Sequence, residues 1–102
     1  NNGKGESFSP TDLVATALGT CMITVMGIYA EKKGILMPNV YSRTNKIMSS
    51  RPRKISKLKI EIIFDDNQIS EAEKQSLKEV ALNCPVAKSL HPDIQQEIEF
   101  IF

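Results

Sequence analysis

The chain has 102 residues, 41% of them apolar and 25% charged, with a formal net charge of +1 and two cysteines. That length bounds it to one domain, 1–102, with a real core but little surplus. A near-neutral balance excludes the general attraction to nucleic acid or anionic membrane that a strongly basic chain would carry.

The opening NNGKGES is polar and loop-like, and no charged n-region followed by an apolar h-region marks a signal peptide. Beginning at Asn1 rather than Met, the chain is expected to be a processed or truncated piece, incomplete at its N-terminus. A helix is expected from Ser9 to Gly34, SPTDLVATALGTCMITVMGIYAEKKG. Ser9 with Asp12 three residues on is a capping-box variant, and Pro10 suits the first helical position, where its missing N–H costs nothing. Lys32 and Lys33 sit in the last turn, where the helix dipole favours cations, and Gly34 supplies a left-handed cap. No charge lies between Asp12 and Glu31, so this helix should be buried on nearly every side. Its uncharged run approaches the roughly 20 residues of a membrane span. Thr16, Thr20, Thr24, Gly19 and Gly27 within it, and the half-buried character of the other segments, favour a central core helix. Ala15, Gly19, Ile23 and Gly27 recur every four residues, and small residues in such a row let another backbone come close. A second helix or strand is expected to pack there.

Met37-Pro38-Asn39 reads as a turn and Val40 to Met48 as a partly exposed strand. Ser49 to Lys54 reads as a hairpin-like connection, with Pro52 stopping strand continuation. Leu58, Ile60, Ile62 and Phe64 alternate with Lys57, Lys59, Glu61 and Ile63, the pattern of a half-buried strand, and Asp65-Asp66-Asn67 ends it. Ser70 and Glu73 form a second capping box, opening a helix to about Asn83 whose buried face carries Leu77, Val80, Ala81 and Cys84. Pro85 disfavours helical geometry at Cys84 and begins a new short helix, VAKSL. His91-Pro92-Asp93 breaks the chain, and Ile94, Ile98, Phe100 and Phe102 give a last period-2 strand. The order is α+β with an antiparallel sheet. Three strands do not enclose so apolar a helix, so both a dimer and further structure before Asn1 are expected.

Cys21 and Cys84 stand 63 residues apart, with no C-x-x-C and one histidine, which leaves too few ligands for a metal site. Two isolated cysteines can equally be small core hydrophobes. Local physics points first to Cys84, placed at the N-terminus of the short helix with Lys88 one turn along, a setting that stabilises a thiolate. Cys21 lies among Ala17, Leu18 and Val25, where desolvation favours the thiol. Lowering its pKa to about 5.5 would take roughly 4 kcal/mol, which a guanidinium near 4 Å supplies. The candidates are Arg43, Arg51 and Arg53, all in or beside the hairpin.

SPTDLVATALGTC and NCPVAKSL together resemble the OsmC/Ohr family of thiol-dependent peroxidases. The matching features are Ser9-Pro10, Leu13, the small-residue run Ala15 to Gly19, Cys21 and the Cys84-Pro85 pair, and the resemblance covers essentially the whole chain. It implies an intertwined homodimer, with long central helices wrapped by antiparallel sheets and active sites between subunits. It also implies a cytoplasmic enzyme without a cofactor. Cys21 would attack the O–O bond of an organic hydroperoxide or hydrogen peroxide, Cys84 would resolve the sulfenic acid to a disulfide, and a dithiol reductant, lipoyl-type or other, would reduce it. A catalytically weak, redox-sensing or small-hydrophobe-binding dimer of the same fold is the alternative. The family holds its activating arginine with a glutamate just after the helix-opening proline; here that position is Thr11, with Asp12 the neighbouring carboxylate.

Arg51, Arg53, Lys54, Lys57 and Lys59 make a basic hairpin, read as a solvated edge that discourages sheet aggregation. Without interleaved aromatics, no nucleic-acid partner is expected. His91 reads as a turn residue, and Tyr29 and Tyr41 as packing residues with a polar tip.

Overall fold

A computed structural model describes residues 9–102. The polar opening NNGKGES lies outside the described residues. Two helices begin where the sequence places capping boxes. Helix α1, Pro10–Lys33, is capped by Ser9, whose Oγ accepts from the Asp12 N–H at 3.2 Å while the Asp12 carboxylate accepts from the Ser9 N–H at 3.3 Å. It ends at Gly34 with φ 70°, the left-handed geometry that glycine adopts without steric cost. Strands β1, Val40–Ser50, and β2, Arg53–Phe64, form a hairpin. Helix α2, Glu71–Leu82, repeats the capping arrangement with Ser70 and Glu73, and a short helix α3, Pro85–Ser89, and strand β3, Gln95–Ile101, follow.

The sheet order is β1-β2-β3. The hairpin pair is antiparallel, as expected, but β3 joins β2 in parallel, from Lys57 opposite Gln95 to Ile63 opposite Ile101. The sheet is therefore mixed rather than antiparallel. The reason is the connection: α2 and α3 carry the chain back along the sheet, and a crossover of that length brings β3 in along the direction of β2. The strands also run further than expected. Ser50 pairs with Arg53, so only Arg51 and Pro52 make the turn, and Pro52 interrupts no ladder.

Alternation along β2 sends Leu58, Ile60, Ile62 and Phe64 to one face, all buried, against Leu18, Met22 and Met26 of α1 and Leu77 and Ala81 of α2. Each fully buried side chain of this size contributes roughly 2 kcal/mol of transfer free energy. The opposite face of the sheet is open and carries paired charges, Arg43 with Glu61 at 3.4 Å and Lys59 with Glu97 at 3.7 Å. Tyr41, expected to pack, stands on this open face with half its surface exposed.

Helix α1 is long and apolar enough by length and composition to cross a membrane, yet its stripe Ala15, Leu18, Met22, Met26 and Ala30 forms the core. Among the described residues, only that side is covered. Leu13 and Ile28 are 54% and 52% exposed, and Ala17, Thr20 and Thr24 are exposed between them. The expected close approach at the small-residue row occurs at Gly19, which lies against Ser42 and Thr44 of β1; Gly27 meets nothing within 4 Å.

Candidate functional site

The middle of α1 and the start of α3 bring the two cysteines together. Cys84 is the N-cap of α3, with extended backbone at φ −68° and ψ 155°, the geometry that Pro85 at the next position imposes. Its Sγ accepts from the Ala87 N–H at 3.4 Å, and its surface is 1% exposed. Gln96 of β3 fixes α3 from the other side, donating from Nε2 to the Ala87 carbonyl at 3.0 Å. Cys21 is only partly buried, packs on the edge of the same core, and lies close enough to Cys84 to act on the ionisation of its thiol. Both are free thiols.

The electrostatics at Cys84 reverse the expectation drawn from its position. Burial pushes its thiol pKa up from the ordinary value, the Ala87 N–H pulls it down, and the neighbouring Cys21 pushes it up again. Desolvation acts on the whole sulfur, whereas the helix start opposes it only through the Ala87 N–H at 3.4 Å and, more weakly, the Val86 N–H, so burial wins. Cys84 is a protonated, enclosed thiol rather than a poised thiolate.

Thr11 and Asp12 are not brought to the thiols. They lie about three turns away along α1, ~15 Å at 1.5 Å per residue. Thr11 shares a hydrogen bond with Ser9 Oγ at 3.2 Å and lines an apolar cleft of about 390 Å³ with Lys54, Ile55, His91, Asp93 and Ile94. Asp12 forms an ion pair with Lys46 of β1 at 2.7 Å, and the same Lys46 Nζ donates to Ser9 Oγ at 2.9 Å. Sequence reasoning missed Lys46; its only signal is that Ser42, Thr44 and Lys46 alternate on the strand face that meets α1. The arginines have other places: Arg43 pairs with Glu61 on the open sheet face, and Arg51 and Arg53 flank Pro52 at the exposed hairpin turn. Lys57 and Lys59 of the basic run pair with Glu97. His91 holds a turn, its Nδ1 accepting from the Asp93 N–H at 3.0 Å.

The Lys46 and Ser9 hydrogen bonds hold the Asp12 carboxyl below the usual carboxylate range. A carboxylate lowered in the fold contributes stability above its unfolded pKa of about 3.9 and loses it as pH falls through the lower folded value. In thermal melts from pH 7 downward, Lys46→Met is expected to melt below the parent chain at neutral pH. The gap should close in acid, below the ordinary carboxylate range. A gap independent of pH would show that Lys46 acts through packing alone.

An α+β chain with a long helix on a small mixed sheet and two facing thiols defines a recognisable class. The family model described as OsmC-like protein matches residues 3–99, and the chain belongs to that family. A crystal structure from Psychrobacter arcticus 273-4, provisionally named an osmotic stress induced and detoxification response protein, is 42% identical. It superposes with a TM-score of 0.89 over 98% of this chain and 72% of that one. An organic hydroperoxide resistance protein OsmC from Legionella pneumophila is 14% identical, with a TM-score of 0.78 over 97% of this chain and 73% of that one. OhrB of Bacillus subtilis, an organic hydroperoxide resistance protein, is 16% identical, with a TM-score of 0.72 over 97% and 74%. These last two share the fold. No curated protein matches the chain.

Proposed function

We propose that the protein is a cytoplasmic, cysteine-based hydroperoxide reductase. The observation that carries this reading is that a partly exposed thiol, Cys21, and an enclosed one, Cys84, are neighbours that act on each other's environment. The Cys21 sulfur attacks the terminal oxygen of a hydroperoxide; an S–O bond forms, the O–O bond breaks, and the leaving alkoxide takes a proton to become the alcohol. Cys84 then attacks the resulting sulfenic acid, the S–O bond breaks, water leaves and a disulfide closes. A dithiol reductant, for which a lipoyl-type compound is the natural choice, returns both thiols through two exchanges. Within one chain Cys21 is partly exposed and Cys84 is buried, which supports Cys21 as the thiol that meets peroxide first. The hydroperoxide-resistance names of the structural relatives support the reading.

The test is consumption of an organic hydroperoxide with dihydrolipoamide as reductant, together with the mass of the protein after one equivalent of peroxide. Sustained turnover and loss of two hydrogens are expected; a chain that neither consumes peroxide nor closes the disulfide overturns the proposal. Thr11 in place of a carboxylate, and the raised thiol of Cys84, favour a second reading as a slow redox sensor. That reading predicts the same disulfide without sustained turnover.

We also propose that the working form is a homodimer. Two side chains of leucine size left half exposed on a helix otherwise made for burial mark the surface that a second copy would cover. Leu13→Glu with Ile28→Glu is expected to leave a monomer of about half the mass by light scattering. A parent chain already monomeric, or a double variant still dimeric, would refute it.

A further inference from the structure

We infer that Gln96 of β3 is a positioning residue for the resolving thiol: through Ala87 of α3 it holds in place the backbone N–H that donates to Cys84 Sγ. The inference rests on the proposed Cys21–Cys84 cycle. Position 96 is one where the strand pattern calls for an apolar side chain. It lies between Ile94 and Ile98, both packed against the core, and in register it stands opposite Leu58, which is fully buried. A glutamine amide on such a face needs a hydrogen-bond partner, because enclosing it without one is costly. Its Nε2 donates to the Ala87 carbonyl at 3.0 Å. That carbonyl in turn lacks a donor from its own helix. In an α-helix it would accept from the N–H four residues on, at His91, but α3 ends at Ser89 and the backbone at Leu90 is extended. A helix of five residues does not hold its own geometry. Here the sheet holds it, because Gln96 is fixed in the β2–β3 ladder.

The two backbone groups of Ala87 thus join β3 to the sulfur: the carbonyl accepts from Gln96, and the N–H donates to Cys84 Sγ at 3.4 Å. This matters in the resolving step. Cys84 gives up its proton as its sulfur bonds to Cys21, the S–O bond of the sulfenic acid breaks, and the departing hydroxide takes that proton to become water. Negative charge gathers on Cys84 Sγ on the way, and an N–H aimed at an ionised acceptor is worth more than one aimed at a neutral thiol. Burial and the neighbouring Cys21 oppose that charge, whereas the Ala87 N–H favours it. Gln96 acts through Ala87. Without its amide, nothing from the sheet keeps the third residue of α3 turned toward the sulfur, and the thiolate loses support when it forms.

The experiment compares the parent chain with Gln96→Met, which keeps the side-chain length and removes the donor. Methionine suits a face shared with Ile94, Ile98 and Phe100, and Gln96→Leu is the second variant. The Cys84 thiolate is titrated by its ultraviolet absorbance in a Cys21→Ser background, which removes the ionisable neighbour; Cys21→Ser with Cys84→Ala serves as the blank for the tyrosines. Disulfide closure is timed by acid quench and mass after one equivalent of an organic hydroperoxide, and peroxide attack is timed in a Cys84→Ala background. Both variants are expected to titrate at higher pH than the parent and to close the disulfide roughly three- to tenfold more slowly relative to peroxide attack. Variants that melt differently but titrate and close like the parent would make Gln96 a structural tie only, sinking the inference with the peroxidase reading intact. Equal slowing of attack and closure would do the same. A parent chain that closes no disulfide after peroxide would overturn the cycle, and this inference with it.

Discussion

Cys21→Ser is expected to abolish hydroperoxide reduction, lowering the rate on the order of a thousandfold or more, with the fold retained. A hydroxyl is isosteric with the thiol but does not ionise near neutral pH, and oxygen does not take up a peroxide oxygen as sulfur does. Cys21 is partly exposed at the edge of the core, so its hydroxyl replacement has solvent to bond with and stability should change little. The informative control is Cys84→Ala. Cys84 acts only after the O–O bond has broken, so this variant should still consume one equivalent of peroxide and then stop as a sulfenic acid. A Cys21→Ser protein with the parent rate would place the chemistry elsewhere, and a Cys84→Ala protein with full turnover would remove Cys84 from the cycle.

Where local chemistry dictates structure, the sequence predicts it. Ser9 with Asp12 and Ser70 with Glu73 begin helices because each side chain has its partner three residues away, and Gly34 ends one because its backbone needs a positive φ. The alternation of Leu58, Ile60, Ile62 and Phe64 identifies a face of β2 whatever lies beside it. The direction of β3 was not legible in the same way. A period-2 pattern says which side chains point inward but is the same read forwards or backwards, and only the crossover through α2 and α3 sets the parallel pairing.

The candidate site divides along the same line. That Cys84 caps a short helix is a local fact, written in Cys84-Pro85, and the structure has it. Its pKa is not local. The helix N-terminus suggests a lowered value, but burial in the core and the neighbouring Cys21 of α1 come from residues distant in sequence, and they reverse the sign. Lys46 was invisible for a related reason: its bond to Asp12 spans 34 positions and follows only from α1 lying across β1. The resemblance to known proteins points to Cys21, whereas the local physics of the sequence points first to Cys84.

The glycines of α1 give the second large effect, and they should respond with opposite signs. A Cβ added at Gly19 would lie 2.8 Å from Ser42 Oγ, 3.0 Å from Ser42 Cβ and 3.1 Å from Thr44 Cγ2. The serine oxygen can rotate aside, but its Cβ is fixed to β1 and the threonine methyl has little room. Gly19→Leu would push further atoms into the same space and lift α1 from the strand. Overpacking of this kind costs about 3 kcal/mol, at the upper end of its usual range. For a domain near 100 residues that lowers the midpoint of thermal unfolding by roughly 10–20 °C. Gly27 has nothing within 4 Å, so Gly27→Ala should gain the helix propensity that glycine lacks, about 1 kcal/mol, and melt higher. If Gly19→Leu melts like the parent, α1 does not rest on β1 as closely as Ser42 and Thr44 indicate. If Gly27→Ala melts lower, a second backbone lies against that side of the helix, and the small-residue row serves two contacts: its own sheet at Gly19 and a partner subunit at Gly27.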